Sequence, residues 1–134
     1  MEKEKAGRMN TTVLAYMGDA VYEQAVREML VRENADTGVN LLHRKAISYV
    51  SAAAQAGIIR EMFDDLSDEE QALVKRARNR KTATKAKNAD PVTYKWATAF
   101  EALIGYLYLS HQEERLSGII GRAIGIAGGW NGEK

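Results

Sequence analysis

Apolar residues recur at intervals of three and four along most of the chain, and no stretch shows sustained alternation with a period of two. Intervals of three and four place apolar side chains on one face of a helix. We therefore predict an all-α fold, a helical bundle in which residues 1–134 form a single domain. The predicted helices run from Thr11 or Thr12 to about Arg32, from Asn40 to about Gly57, from Ile58 to about Asp64, from Ser67 to about Arg78, from Asp90 to about Leu109, and from about Gln112 to Ala127.

Capping residues mark several of these boundaries. Ser67 and Glu70 have the capping-box spacing, in which each side chain accepts a hydrogen bond from the other residue's backbone N–H. Asp90 and Pro91 have the pattern of an N-cap followed by proline at the first helical position. The pair Gly128–Gly129 is predicted to end the last helix.

The composition is that of a globular protein, with 46% hydrophobic residues and no cysteine. The lack of cysteine excludes disulfides and thiolate metal sites. Residues 1–10 are mostly charged or polar, so we expect them to be flexible and not to act as a signal peptide. The longest apolar run, residues 102–109, is far shorter than the ~20 residues of a membrane span. We expect a soluble, cytoplasmic protein.

The net charge of +1 conceals two charged segments of opposite sign. Residues 64–70 contain five acids and no base, and residues 75–87 contain seven bases and no acid. The helix dipole accounts for part of this asymmetry, because acids favour the start of a helix and bases its end. The remaining bases lie in residues 79–89, predicted to form a mobile basic loop. Such a block indicates RNA or DNA as a partner; the alternative is a solvated helix end and loop.

Three acids stand in apolar surroundings. Asp19 and Glu23 are four residues apart on the first long helix, and so share one face. Glu101 is the only acid of the helix that follows Pro91. Small residues beside these acids allow another helix to approach closely, and the three carboxylates can converge if the two helices pack together. Oxygen ligands without His or Cys suit Mg²⁺ or Mn²⁺; the alternative is that the acids pair with Arg or Lys inside the bundle.

Two motifs resemble those of the ribonuclease III family. Residues 16–21, Tyr-Met-Gly-Asp-Ala-Val, resemble the family signature, and residues 100–109, Phe-Glu-Ala-Leu-Ile-Gly-Tyr-Leu-Tyr-Leu, resemble its second motif. The resemblance implies that Asp19 and Glu101 are catalytic metal ligands. The chain is most similar to the mini-ribonuclease III subgroup, which has the catalytic domain without an appended double-stranded-RNA-binding domain.

The chain departs from the larger family at two acidic positions. Ala15 stands four residues before Asp19, and Thr98 stands three before Glu101, where the ordinary enzyme has acids. The mini-subgroup shows the same absences, so they do not argue against activity. We hypothesise that Glu23 restores part of the missing charge, as a metal ligand or through a metal-bound water.

The resemblance implies a homodimeric endoribonuclease that cleaves double-stranded RNA with Mg²⁺, or with Mn²⁺ as a substitute. The products would carry 5′-phosphate and 3′-hydroxyl ends. It also implies maturation of the 5′ and 3′ ends of large-subunit (23S-type) rRNA precursors. His43 is expected to be structural or to contact RNA, since this chemistry requires no histidine. The residues expected to bind RNA are Arg76, Arg78, Arg80, Lys81, Lys85 and Lys87.

Two other functions compete with this interpretation. One is a catalytically inactive ribonuclease III fold that acts only as an RNA-binding or ribosome-associated module. The other is a helical interaction protein with no role in nucleic-acid binding. The presence of both Asp19 and Glu101 argues against the inactive module.

Overall fold

The computed structural model describes residues 1–80 and 90–131, and these two ranges contain helices and no strand. The predicted all-α fold is confirmed. A short 3₁₀ helix, Phe63–Asp65, lies between the fourth and fifth α-helices. The α-helices are α1 (Lys3–Gly7), α2 (Thr11–Glu33), α3 (Val39–Val50), α4 (Ala52–Met62), α5 (Asp68–Asn79), α6 (Pro91–Leu109) and α7 (Glu113–Asn131).

Helix α6 forms the centre of the bundle. It is apolar on all sides, as expected of a helix surrounded by others, and α1, α2, α4, α5 and α7 all pack against it. Phe100, Leu103, Ile104 and Leu107 have no exposed surface. The ring of Tyr22 on α2 meets Phe100 edge to face, with centroids 4.8 Å apart.

The segment predicted as one helix from Asn40 to Gly57 is two helices, so that prediction was wrong. Ser51 interrupts it with an extended backbone (φ −64°, ψ 157°). Its hydroxyl accepts a hydrogen bond from the Ala54 N–H at 3.2 Å, so Ser51 caps α4. Helix α4 then continues through Gly57 to Met62.

Other helix ends agree with the sequence in part. The capping box of Ser67 and Glu70 is present, with both hydrogen bonds formed. Asp90 caps α6 by accepting from the Thr93 N–H at 3.0 Å. Asn10, and not Thr11 or Thr12, caps α2, because its carboxamide oxygen accepts from the Thr12 N–H at 2.9 Å. Helix α7 continues past Gly128 to Asn131.

The first ten residues, which we expected to be flexible, contain α1. Ala6 is completely buried, Lys3 forms an ion pair with Glu69 at 3.2 Å, and Arg76 donates a hydrogen bond to the Met9 carbonyl at 3.1 Å. Two apolar side chains, the buried Ala6 and the partly buried Met9, pack on the core and attach this segment to the bundle. The predicted basic loop, 79–89, lies outside the described residues beyond Arg80.

Within the described ranges, no helix is long and apolar enough to cross a membrane.

Candidate active site

Two glycines allow α2 and α6 to cross with their backbones in contact. A Cβ atom on Gly18 would overlap the carbonyl oxygen of Glu101, and one on Gly105 would overlap that of Leu14. Each glycine therefore lies against the backbone of the opposite helix, where no other residue fits without a shift. Small residues beside the acids predicted a close approach of another helix, and the structure confirms it at Gly18 and Gly105.

This crossing brings Asp19 and Glu101 together. Asp19 follows Gly18 directly and is exposed, whereas Glu101 is largely buried between α2 and its neighbours. The two carboxyl groups lie close enough to interact directly. Burial, the interaction with Asp19 and the charge of Asp19 together raise the pKa of Glu101 to about 8.

Glu23 lies one turn after Asp19 and interacts both with Glu101 and with Arg27. Its charge also contributes to the raised pKa of Glu101. Its carboxylate accepts from the Arg27 guanidinium at 3.2 Å, and its side chain is 35% exposed. Of the three acids, Glu23 is thus the one that pairs with an arginine, which was the alternative to metal binding. No ion pair involves Asp19 or Glu101 in the part of the chain that the structure describes.

Gln55 is a site residue that was not predicted. Only 2% of its surface is exposed, and its carboxamide interacts with Glu101 and acts to lower the pKa of that carboxyl. It stands alone among small apolar residues in the segment Ala52–Ala56. A single polar side chain in an apolar helix was the signal that could have revealed it.

The paired carboxylates fit a divalent cation. Two ionised carboxylates in contact repel each other, so the pair needs either a shared proton or a bound cation. Asp19, Glu101 and Gln55 offer oxygen donors only, which are the ligands of hard cations such as Mg²⁺ and Mn²⁺. Among the residues described, no three His, Asp or Glu side chains are grouped closely enough to hold a metal by themselves. Such a pair suits a cation that keeps several waters or receives ligands from a substrate.

Ala15 and Thr98 stand at the two positions where the ordinary ribonuclease III enzyme has acids, and both have a role in packing or hydrogen bonding. Ala15 is buried, with 6% of its surface exposed. Thr98 donates its hydroxyl to the Tyr94 carbonyl at 3.0 Å, one turn earlier in α6. Neither residue adds a charge to the site.

The structure describes three of the six predicted RNA-binding residues. Arg76 donates to the Met9 carbonyl at 3.1 Å. The Arg78 guanidinium lies over the Trp96 ring, 5.0 Å from its centroid. Arg80 is exposed just after α5. The residues that lie outside the described part of the chain are Lys81, Lys85 and Lys87.

An apolar surface remains exposed on α2 and α3. Tyr16 is 83% exposed, and Val31, Val39 and Ile47 are each more than half exposed. Between the two helices lies a cleft of 440 Å³. The cleft is also lined by His43, which is exposed on α3.

Comparison with known proteins identifies relatives of this chain. The profile of the Ribonuclease III domain matches residues 12–112. The chain is 48% identical over 124 residues to a mini-ribonuclease 3 of Clostridium tetani, with 92% of this chain and 82% of the relative covered. It is 47% identical over 133 residues to a mini-ribonuclease 3 of Brevibacillus brevis, with 96% and 98% covered.

The fold is also similar to a solved structure. A crystal structure of a protein from Fusobacterium nucleatum superposes with a TM-score of 0.77 at 32% sequence identity, covering 87% of this chain and 93% of the other. Sequence and fold therefore lead to one assignment. The chain belongs to the ribonuclease III family, within its mini-ribonuclease 3 group of endoribonucleases.

Proposed function

We propose that this endoribonuclease hydrolyses double-stranded RNA with Mg²⁺, for which Mn²⁺ can substitute, and that Asp19 and Glu101 are its catalytic metal ligands. The observation that carries the proposal is the contact between these two carboxyl groups at the crossing of α2 and α6. Cleavage leaves 5′-phosphate and 3′-hydroxyl ends.

The protein's own residues prepare the site for a cation. A divalent cation, when bound, supplies Lewis-acid chemistry for phosphodiester hydrolysis. Glu101 would hold the cation as an ionised carboxylate, because a nearby positive charge favours that form. Gln55 holds the Glu101 carboxylate in place, and the exposed Asp19 offers its oxygens from the solvent side.

Glu23 contributes negative charge at the edge of this site. Its effect on the pKa of Glu101 supports a position close enough to attract a cation. Its ion pair with Arg27 favours a role through water over direct ligation. Glu23→Gln should therefore lower the rate of Mg²⁺-dependent cleavage less than Asp19→Asn does.

The RNA partner is recognised through its backbone. Duplex RNA presents phosphates and 2′-hydroxyls and little readable sequence, so recognition by shape and charge is expected. Unpaired basic residues are suited to these phosphates. The proposed contacts are Arg76, Arg78, Arg80, Lys81, Lys85 and Lys87.

A homodimer accounts for cleavage of both strands, since one such site cuts one strand. The exposed apolar side chains of α2 and α3 support it, because exposed apolar surface is typical of interaction sites. We place the Tyr16 side of α2 in the interface. The proposed substrates are the 5′ and 3′ ends of large-subunit (23S-type) rRNA precursors in the cytoplasm, on the basis of the family resemblance.

The decisive experiment is cleavage of a structured RNA with and without Mg²⁺, comparing wild type with Asp19→Asn and mapping the product ends. We expect Mg²⁺-dependent cleavage that Asp19→Asn abolishes. Equal cleavage by both proteins would remove Asp19 from the catalytic site. Binding of duplex RNA without cleavage by wild type would instead favour the inactive RNA-binding module.

A further inference from the structure

A group of cations and aromatic rings lies where the end of α4, helix α5 and the start of α6 meet. The guanidinium carbons of Arg60 and Arg78 lie 5.4 Å and 5.0 Å from the centroid of the Trp96 ring. The ammonium of Lys75 lies 5.7 Å from the centroid of Phe63. The two rings meet edge to face at 6.3 Å. We call these five residues the stacked-cation cluster.

The cluster concentrates positive charge without neutralising it. Within residues 1–80 and 90–131, Arg60, Lys75 and Arg78 have no carboxylate at ion-pair distance, whereas Arg115 and Arg122 are each paired with an acid. An aromatic face attracts a cation through its quadrupole and leaves the full charge available. The cluster therefore carries three positive charges whose positions are set by rings.

The guanidinium groups can also bind an oxyanion. A guanidinium next to an aromatic ring retains N–H donors, and their fork matches the oxygens of a phosphate. Arg78 uses one of these donors, Nε, on the Asn79 side chain at 3.0 Å. In the described part of the chain, Arg60 has no hydrogen-bond acceptor and is exposed, so its donors face solvent.

The cluster lies partly along α4 and α6, the two helices that bring Gln55 to Glu101. Trp96 precedes Glu101 by five residues on α6, and Arg60 follows Gln55 by five on α4. Because Gln55 meets Glu101 and Arg60 meets Trp96, the two steps run in the same direction. Five residues of helix rise by roughly 7.5 Å. The cluster is therefore offset along both helices from the Gln55–Glu101 contact by about that axial distance.

We propose that the stacked-cation cluster is a phosphate-binding subsite for the backbone of duplex RNA, in which Arg60 and Lys75 join Arg78. The inference rests on the proposed function, because it assigns this surface to the same RNA substrate. It adds a binding surface on α4, α5 and α6 that does not depend on residues 81–89. Trp96 and Phe63 position the cations and need not touch the RNA.

The test measures binding of a fluorescent RNA duplex between 50 and 300 mM salt in an Asp19→Asn background, which prevents cleavage. Arg60→Gln should lower the slope of log affinity against log salt by about 0.9, the value for one lost phosphate contact. The triple variant Arg60→Gln, Lys75→Gln, Arg78→Gln should lower it by roughly two to three. Thermal unfolding of each variant verifies that it is folded, and Arg60→Gln alone suffices if the triple variant is not.

Arg44→Gln is the matched control, since Arg44 is an exposed arginine on α3 and its loss changes the net charge equally. An unchanged slope in Arg60→Gln, or an equal decrease in Arg44→Gln, overturns the subsite. In that case cleavage of duplex RNA by the wild type leaves the proposed function standing. A wild type that neither cleaves nor retains duplex RNA overturns both.

Discussion

Gly18 lies directly against the backbone carbonyl of Glu101, so that the residue before one acid of the site contacts the other acid itself. This contact sets the separation of α2 and α6 and hence the distance between the two carboxylates. Gly105, one turn after Glu101, makes the equivalent contact with Leu14. The site is therefore built on a backbone-to-backbone helix crossing, which permits little adjustment.

We expect Gly18→Ala and Gly105→Ala to destabilise the protein by about 3 kcal/mol or more, because the added methyl must push two backbones apart. Both should also lose cleavage activity, since the carboxylates separate. Gly57→Ala is the control: Gly57 is exposed within α4 and has nothing within 4 Å of an added Cβ. It should be neutral or stabilising by up to about 1 kcal/mol. Urea denaturation measures all three, and a Gly18→Ala protein as stable as wild type would contradict the tight crossing.

A second prediction concerns the buried ion pair between α5 and α7. Glu70 has 6% of its side chain exposed and accepts from Arg115 at 2.7 and 2.9 Å, while also completing the capping box with Ser67. Burial acts to raise the pKa of Glu70, but the hydrogen bonds from Arg115 and Ser67 outweigh it and hold that pKa below its usual 4.5. Glu70→Gln should cost about 1.5–3 kcal/mol, because it removes the charged acceptor of the Arg115 hydrogen bonds, while Arg115 itself is 42% exposed and can be solvated.

The pH dependence of this pair has a definite sign. A carboxyl with a lowered pKa in the folded state contributes its stability above pH 4.5 and loses it as the pH falls through the folded-state pKa. Wild type should therefore lose more stability on acidification than Glu70→Gln does. Glu69→Gln is the comparison, since Glu69 is 68% exposed in its ion pair with Lys3 and should change stability by less than about 1 kcal/mol. Equal losses of stability in Glu70→Gln and Glu69→Gln would show that the Glu70–Arg115 pair stabilises the fold no more than an exposed ion pair does.

Tyr16 tests the proposed dimer. Its side chain is 83% exposed on α2, on the side of that helix that we assign to the interface. Tyr16→Asp should convert a dimer into a monomer in analytical ultracentrifugation, because a charge in an apolar interface is costly. Val92→Asp, at a valine that is 57% exposed at the start of α6, should leave the dimer intact. A wild type that sediments as a monomer at all concentrations would reject the dimer.

Much of the fold could be predicted because its determinants are local. The spacing of apolar residues predicts α2 and α6, and the side chains of Ser67 and Asp90 identify the starts of α5 and α6. The break at Ser51 was missed because serine is compatible with a helix interior, and only its extended backbone and its bond to Ala54 show it to be a cap.

The site was predictable in part for the same reason. Asp19 and Glu101 stand out as acids in apolar helices beside small residues, and their motifs resemble those of a known family. Gln55 did not stand out, because its importance comes from α4 packing on α6, a contact between residues 46 positions apart. Glu23 pairs with Arg27, four residues later on the same helix. The sequence spacing fits this ion pair and a role at the metal site equally well, so it could not decide between them.

Gln55 should position Glu101. We expect Gln55→Leu to lower activity by about 10- to 100-fold, as for other residues that hold a metal ligand. Activity should rise with pH as Glu101 ionises, and in Gln55→Leu this rise should shift to higher pH, because the interaction that lowers the pKa of Glu101 is lost. Gln71→Leu is a matched control, since Gln71 donates to the Phe63 carbonyl at 2.9 Å outside the site. A profile that shifts equally in both variants would indicate a general structural effect.

The raised pKa of Glu101 leads to a last prediction, which concerns the pH dependence of stability in the metal-free protein. The folded state holds a proton on Glu101 up to about pH 8, whereas the unfolded chain releases it near 4.5. The folded state therefore binds more protons between these values, and the contribution of Glu101 to stability is greatest below pH 4.5 and falls as the pH rises to 8. In EDTA, wild type should lose on the order of 2–4 kcal/mol relative to Glu101→Gln over this range.

Glu101→Gln isolates that effect, because the amide is neutral at every pH and the other titrating groups remain. The variant should be more stable than wild type at pH 8 in EDTA, yet it should lose cleavage and the stabilisation that Mg²⁺ gives to wild type. The gain from Mg²⁺ in wild type should be larger at pH 8 than at pH 5, since at pH 5 the cation must displace a proton. Parallel stability curves for the two proteins in EDTA would mean that Glu101 is ionised without a cation, and the carboxylate pair would then need another source of positive charge.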